Sequence, residues 1–243
     1  MVFIQSCSHS IIQLMIGNFS VLASLGYKLI KNIMQNVLSI LFCLSLFYLS
    51  VTSRVKAYVT VLQFQGVLLT VLLVFPFIGH FSIYALILPA TLFFVKVILI
   101  PKYIKKIILD LDIKRTIEPT IQQITFLLII IFSMTIIFII SNVLSKSTDI
   151  ETIPFASGFT AIAVGIFVII YRKKLIVHVA GFLVLENGIF LFGTAVASEL
   201  PMMIEIGVLL DVFVVVFLMG IAINKISSTL SGFDVTALGR LKD

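Results

Sequence analysis

The chain has 243 residues, of which 60% are hydrophobic and only 12% are charged, and its formal net charge is +6. A soluble protein would carry roughly a quarter of its residues as charges, so this composition excludes a soluble globule and predicts an all-α membrane protein. The Lys and Arg residues lie in short loops between long apolar runs and not in one patch. This distribution argues against nucleic-acid binding.

Residues 1–32 do not follow one clear pattern. The stretch from Ile11 to Tyr27 is apolar but contains several polar residues, and Lys28 and Lys31 follow it. A signal peptide would carry its positive charge before the apolar core. The preferred interpretation is an N-terminal extension ahead of a start at Met34; a weak additional helix across the membrane and an interfacial helix stay open.

Beyond residue 32, apolar runs long enough to cross a bilayer recur along the chain. A helix needs about 20 residues to span the hydrocarbon at about 1.5 Å per residue. The sequence predicts about seven such transmembrane helices: 33–52, 57–76, 81–100, 121–143, 154–171, 176–198 and 202–223.

The loops predict an orientation for these spans, because cytoplasmic loops of membrane proteins are enriched in Lys and Arg. Cations follow every odd-numbered span: Arg54, Lys56; Lys102, Lys105, Lys106, Lys114, Arg115; Arg172, Lys173, Lys174; Lys225, Arg240, Lys242. The opposite side carries Lys146, Lys28 and Lys31. We therefore expect a cytoplasmic C-terminus, with 225–243 as a cytoplasmic tail.

The connection 101–118 begins with Pro101, which suits the first turn of a helix. It places Ile104, Ile107, Ile108 and Leu111 on one helical face, with lysines and aspartates elsewhere. Two interpretations remain open: an amphipathic helix on the cytoplasmic surface, or a solvated linker helix. With this segment included, residues 33–153 are predicted to form a four-span bundle and 154–224 a three-span unit.

Two carboxylates are predicted to lie near the middle of the bilayer. Glu186 is about ten residues into the sixth span, and Asp211 is about nine residues into the seventh. Each costs on the order of 3 kcal/mol to insert, and the short turn between these antiparallel spans places them at similar depth. They could exchange a proton through a few waters or one intervening group; the alternative is protonated carboxyls that only hydrogen-bond between helices.

Three further ionisable residues are weaker candidates. Lys96, in the third span, is a potential relay partner, but it lies close enough to Pro101 for its side chain to reach the surface instead. Glu205 is about one turn into the seventh span, on a different face from Asp211. His178 lies near the cytoplasmic end of the sixth span, where it is either a proton uptake group or an interfacial histidine.

Small and amide residues in the spans are interpreted as packing groups. Glycines recur seven residues apart in two consecutive spans, at Gly158 and Gly165 and at Gly181 and Gly188, which favours close helix packing in lipid. Asn187 is expected to anchor a hydrogen bond between helices. The remaining polar residues of this kind are Gln63 and Gln65.

No cofactor or metal ligand set is expected in this chain. Its two cysteines, Cys7 and Cys43, lie in no pattern of metal-ligand spacing. Dinucleotide-binding and P-loop fingerprints are also absent from the sequence. If the protein serves a redox reaction, other chains hold the cofactors, and this chain is not an enzyme on its own.

Several segments resemble one known family of membrane proteins. The resemblance is to component E of hydrogenase-4 and covers residues 34–243, carried by MQNVLSILFCLSLFYLSVTSRVKAYVTVLQFQGVLL (34–69), VKVILIPKYIKK (95–106), GFLVLENGIFLFG (181–193), SELPMMIEIGVLLDVFVVVFLMGI (198–221) and FDVTALGRLKD (233–243). Residues 1–33 fall outside this pattern.

From about residue 154 onward, the chain also resembles the K-type subunit of respiratory complex I and the C-type subunit of cation/proton antiporter complexes. Glu186 and Asp211 fall at the K-type subunit's two intramembrane glutamates, with Asp replacing Glu at the second. The resemblance implies a proton-translocating role for these two residues and favours Lys96 as a relay residue.

The resemblance also implies a setting in the cytoplasmic (inner) membrane of a bacterium or archaeon. The partners would be other membrane subunits, including antiporter-like ones, together with a soluble electron-transfer module and membrane lipid. Three alternatives stay open: a structural linker between pumping subunits, a subunit of an antiporter-type complex, and an autonomous transporter. The last lacks the internal repeat and broken helix pair typical of transporters.

Overall fold

A computed structural model describes residues 2–52, 54–74, 83–110, 123–147, 150–196, 207, 209–217 and 220, with backbone alone for 2–24, 83–86, 88, 110 and 123. Its elements are helices. They are α1 (Val2–Val51), α2 (Val55–Val74), α3 (Ile83–Phe93), a π-helical turn (Phe94–Leu99), α4 (Ile100–Asp110), α5 (Gln123–Ser145), α6 (Thr152–Tyr171), α7 (Leu175–Val196) and the helical residues 209–217, called α8.

Five helices are long and apolar enough to cross a membrane: Leu25–Val51, Val55–Val74, Ile124–Ser145, Thr152–Tyr171 and Leu175–Val196. A spanning segment must satisfy its backbone polar groups internally, which a continuous helix does. The prediction of an all-α chain with several helices able to cross a membrane is therefore confirmed for the described residues. The count of seven spans and the cytoplasmic C-terminus stay predictions, because 221–243 and much of the seventh predicted span lie outside the described residues.

The backbone of α1 is helical without a break from Val2 to Val51, and the three interpretations of residues 1–32 remain predictions. The third predicted span and the start of the connection 101–118 also form one uninterrupted helix, from Ile83 through the π-helical turn to Asp110. The four isoleucines of α4 are buried in the core of the bundle: Ile100, Ile104, Ile107 and Ile108. Residues 111–118 lie outside the described part of the chain, so the surface-helix prediction stays open there.

Helices α6 and α7 form the most extensive pair in the bundle, packed through their glycines. A Cβ added at Gly165 would lie 2.7 Å from the Gly181 carbonyl oxygen, and one added at Gly188 would lie 2.8 Å from the Gly158 carbonyl oxygen. Such approaches leave no room for a side chain, so the predicted close packing through these glycines is confirmed. Helices α1, α2 and α5 surround this pair.

The turn between α6 and α7 is tied to neighbouring helix ends by Arg172. This side chain is 2% exposed, lies over the Phe126 ring at 4.8 Å from its centroid and donates to the Ser50 carbonyl at 3.5 Å. A ring nitrogen of His178 hydrogen-bonds to the Arg172 carbonyl. Arg172 is thus buried, although it belongs to the loop whose cations predict the orientation of the spans.

Glu151, at the start of α6, gives the fold a pH dependence. Burial raises the pKa of its carboxyl above the usual value, and the cations of Lys31 and Lys28 offset part of this rise. A raised pKa in the folded state means that protonation stabilises the fold, and this stabilisation is lost as pH rises through the folded value. We therefore expect Glu151→Gln to raise the thermal midpoint slightly at pH 7 and to match the wild type below pH 4, as measured by thermal unfolding in detergent.

Candidate functional site

The site is centred on Lys96, which lies in the π-helical turn Phe94–Leu99. In this turn the Ile100 amide donates to the Val95 carbonyl, five residues back instead of four. A π-helical turn adds one residue to the helix and changes the direction of the side chains around it; such turns are frequent at functional sites.

Pro101 provides a physical reason for the departure from regular α-helical hydrogen bonding next to it. Pro101 has no N–H, so it cannot donate to the carbonyl of Val97, four residues before it. Gln63 of α2 satisfies that carbonyl instead, with its side-chain amide 3.1 Å from the Val97 oxygen. The hydrogen bond that Pro101 cannot make is therefore replaced by one from a neighbouring helix. Buried backbone carbonyls need such a partner.

Gly66 lets α2 approach the π-helical turn closely. A Cβ at this position would lie 3.1 Å from the Lys96 Cβ and 3.2 Å from a Val97 methyl carbon. The stem of Lys96 thus runs between α2 and α7 instead of along the surface. Lys96 is only 5% exposed, so its side chain does not reach the aqueous interface.

The Lys96 ammonium contacts three acceptors in the interior of the bundle. Its Nζ lies 2.6 Å from Glu186 Oε1, 3.2 Å from Asp211 Oδ1 and 3.1 Å from Asn187 Oδ1. Glu186 and Asp211 are 2% and 1% exposed. One ammonium therefore joins the carboxylates of two different helices, and both carboxylates lie at one depth, as predicted.

The helix faces explain why both carboxylates point inward. On α8, Asp211 and Val214 are buried, while Leu209, Val212 and Phe213 are exposed. Residues three or four apart share a helix face, so Asp211 lies on the face that packs into the bundle. On α7, Glu186 is likewise flanked at these spacings by buried residues: Leu183 and Phe190.

A chain of hydrogen bonds continues from Lys96 to α1. Asn187 donates to Gln65 Oε1 at 3.2 Å, and Gln65 donates to Ser45 Oγ at 2.9 Å. The prediction that Asn187 anchors an interhelical hydrogen bond is confirmed. Ser45 and the role of Gln65 were not foreseen, because a sequence does not show that α1, α2 and α7 meet here.

Each carboxylate keeps one oxygen available. Glu186 Oε2 and Asp211 Oδ2 are buried and have no hydrogen-bond partner among the described residues. An ionised carboxylate is an acceptor at both oxygens, whereas a protonated one donates from one of them. The contacts of the Lys96 ammonium therefore use one oxygen of each carboxylate and leave the second oxygen out of them.

A small cavity adjoins the cluster and borders Lys96, Asn187 and Asp211. Its volume is about 10 Å³, which is close to the minimum that holds one water molecule. Its other walls are Leu62, Ile100 and Leu183. Along their helices these three residues lie on the α4 side of the cluster, so the cavity extends toward the end of the bundle that carries Lys102 and Arg172.

The structure brings together three of the five predicted site residues: Lys96, Glu186 and Asp211. His178 lies apart from them, near the start of α7, where a nitrogen of its ring hydrogen-bonds to the Arg172 carbonyl oxygen. Glu205 lies outside the described residues. Within the described ranges, no group of three or more His, Cys, Asp or Glu side chains is arranged to hold a metal ion.

Comparison with known proteins finds sequence similarity over part of the chain. No family model matches the chain. Over 100 residues it is 27% identical to the uncharacterized protein Rv0085 of Mycobacterium tuberculosis, a match that covers 41% of this chain and 44% of that protein. No solved structure matches. The name of this relative states no activity.

Proposed function

We propose that this protein is a cofactor-free membrane subunit in which Lys96, Glu186 and Asp211 relay protons. The observation that carries the proposal is the contact of one buried ammonium with two buried carboxylates, at 2.6 Å and 3.2 Å. A buried ion pair seldom stabilises a protein more than apolar residues of the same size would. Stability alone therefore gives little reason to place three ionisable groups here.

The charges of the cluster suit proton uptake. With all three groups ionised, the two carboxylates outnumber the single ammonium and the cluster is negative. A net charge in an apolar interior is costly, so the cluster gains by taking up one proton and can release it when nearby charges change. Lys96 lies between the carboxylates and can pass a proton from one to the other.

The water-sized cavity supports a route to the cluster. It borders Lys96 and Asp211 and extends toward the α4 end of the bundle, which the loop charges predict to be cytoplasmic. A water molecule there would lie beside two of the three ionisable groups. Protons would enter from that side, with Glu205 and His178 as further proposed members of the pathway.

The setting of this relay is proposed from the resemblance to component E of hydrogenase-4. In that setting, the chain has seven spans, a cytoplasmic C-terminus and a place in the inner membrane of a bacterium or archaeon. Antiporter-like membrane subunits would continue the proton pathway, and a soluble electron-transfer module would drive it. The apolar helix α5 is largely exposed and offers a surface for lipid or for such subunits.

Neutral variants of the carboxylates test the relay. In complexes reconstituted into vesicles, we expect Glu186→Gln and Asp211→Asn each to lower the proton flux per transferred electron about a hundredfold or more, because a positioned general acid–base group typically contributes about that much or more. The substitutions preserve shape and remove only the titrating group. Flux is measured with a pH-sensitive dye, together with electron transfer in the same vesicles.

Glu151→Gln is the matched control, since it removes a carboxylate that lies outside the cluster, at the start of α6. Its flux should equal that of the wild type. If Glu186→Gln and Asp211→Asn assemble normally and both retain wild-type flux, the relay proposal is wrong.

The alternatives are a subunit of a cation/proton antiporter-type complex and a structural linker between pumping subunits that conducts no protons of its own. One observation favours the structural linker: the three donors of the Lys96 ammonium match its three acceptors, as in a purely structural contact between helices. Such a contact, however, does not account for the second oxygens of both carboxylates, which have no hydrogen-bond partner among the described residues. Under the structural-linker alternative the neutral variants would weaken assembly without changing the flux of the complexes that do assemble.

A further inference from the structure

A stripe of residues on the outer side of the helix from α3 to α4 changes character along its length. Phe94, Ile98, Lys102 and Lys106 follow one another at intervals of four residues, which keeps them near one face. Phe94 and Ile98 are 54% and 45% exposed, and both lysines are exposed. The stripe thus passes from apolar to cationic within about one helical turn.

These residues line a shallow groove together with Leu99 and Tyr103. The groove has a volume of about 350 Å³. Tyr103 follows Lys102 directly, so it lies close to the boundary between the apolar part of the groove and its lysines. Tyrosines are enriched at the membrane–water interface. A groove whose polarity changes beside a tyrosine suits the level at which the hydrocarbon of a bilayer meets its headgroups.

Lys102 and Lys106 are both exposed. Among the residues whose side chains the structure describes, the ion pairs are those of Lys96 with Glu186 and Asp211, and no carboxylate pairs with Lys102 or Lys106. The neighbouring Lys105 differs, because it donates to Gln63 Oε1 at 3.1 Å. The opposite face of α4 is also occupied, since Ile104, Ile107 and Ile108 pack into the core.

We propose that this groove binds one anionic phospholipid. An acyl chain lies against Phe94, Ile98 and Leu99, and Lys102 and Lys106 bind the phosphate. Basic sites at the membrane surface select anionic headgroups, and the apolar part of the groove accommodates a chain that a soluble phosphate lacks. Because Lys96 lies in the same π-helical turn as Phe94 and Ile98, the bound lipid would cover the outside of the helix that carries the site.

The test compares lipid binding to variants of the full chain, purified in mild detergent with the partners that remain bound. Phosphatidylglycerol and phosphatidylcholine with the same acyl chains are titrated, and bound lipid is counted by native mass spectrometry. We expect Lys102→Gln/Lys106→Gln to bind phosphatidylglycerol about 30-fold more weakly, at about 1 kcal/mol for each lysine near the surface. Phe94→Ala should weaken the binding of both lipids.

The matched control is Lys56→Gln/Lys173→Gln, which removes two exposed lysines at the same end of the bundle and outside the groove. This variant should bind phosphatidylglycerol within about threefold of the wild type, because exposed charges away from a site contribute little. The proposal fails if both double variants behave alike, or if glycerol 3-phosphate displaces the lipid at equal concentration. It also fails if Lys102→Gln/Lys106→Gln releases a partner subunit while lipid binding is unchanged.

Discussion

Replacing Lys96 with methionine is expected to lower the free energy of unfolding by about 3 kcal/mol or more, because removal of one partner leaves a buried charge uncompensated. Glu186 and Asp211 would both lose the ammonium that they share, at 2.6 Å and 3.2 Å. Asn187 would also lose a hydrogen-bond partner. The change is measured from unfolding of the purified protein in mixed detergent and from the yield of assembled complex.

Two comparisons separate this effect from a simple loss of packing. The triple variant Lys96→Met/Glu186→Gln/Asp211→Asn removes all three charges and should recover most of the lost stability, since a buried charge triad can be replaced by neutral groups at little cost. Lys56→Met makes the same substitution at an exposed site outside the cluster and the groove and should stay within about 0.5 kcal/mol of the wild type. A triple variant as unstable as Lys96→Met would contradict the electrostatic explanation.

The common depth of the two carboxylates was predictable from the sequence. Glu186 and Asp211 lie at similar distances along the sequence from the turn that is predicted between their spans, and the rise per residue is nearly constant in helices. Their shared contact with Lys96 confirms that prediction. The inference needed only the length of each helix and the direction in which each crosses the membrane.

The burial of Lys96 could not be deduced in the same way. Its distance of five residues from Pro101 is equally compatible with a side chain that reaches the surface. The direction of the side chain depends on the π-helical turn, which changes the regular advance of about 100° per residue. That turn depends in part on a contact from another helix, the hydrogen bond of Gln63 to the Val97 carbonyl.

The amides Gln65 and Asn187 illustrate that a single sequence does not show which helices are neighbours in space. Gln65 and Asn187 were interpreted as packing groups, since an amide in a span can bond to any neighbouring helix. Their hydrogen bond with each other joins residues 122 positions apart in the chain. Such a pairing depends on which helices are neighbours in space, whereas periodicity reports only which face of one helix is buried.

Gly165→Leu is expected to destabilise the protein by about 3 kcal/mol, the upper part of the range for overpacked interiors. A Cβ at this position would lie 2.7 Å from both the Gly181 carbonyl oxygen and the Leu185 amide nitrogen. Both atoms belong to the backbone of α7, so relief requires α6 and α7 to separate. Separation would also displace Glu186, one residue beyond Leu185, from the Lys96 ammonium.

Gly26→Leu is the matched control, because a Cβ at Gly26 meets no atom within 4 Å. The same substitution there should leave the unfolding midpoint unchanged or raise it slightly, since leucine favours a helix more than glycine does. Unfolding in mixed detergent measures stability, and proton flux in the assembled fraction reports the position of Glu186. If Gly165→Leu retains both wild-type stability and wild-type flux, α6 and α7 do not pack through their glycines, and the placement of the proposed relay would have to be revised.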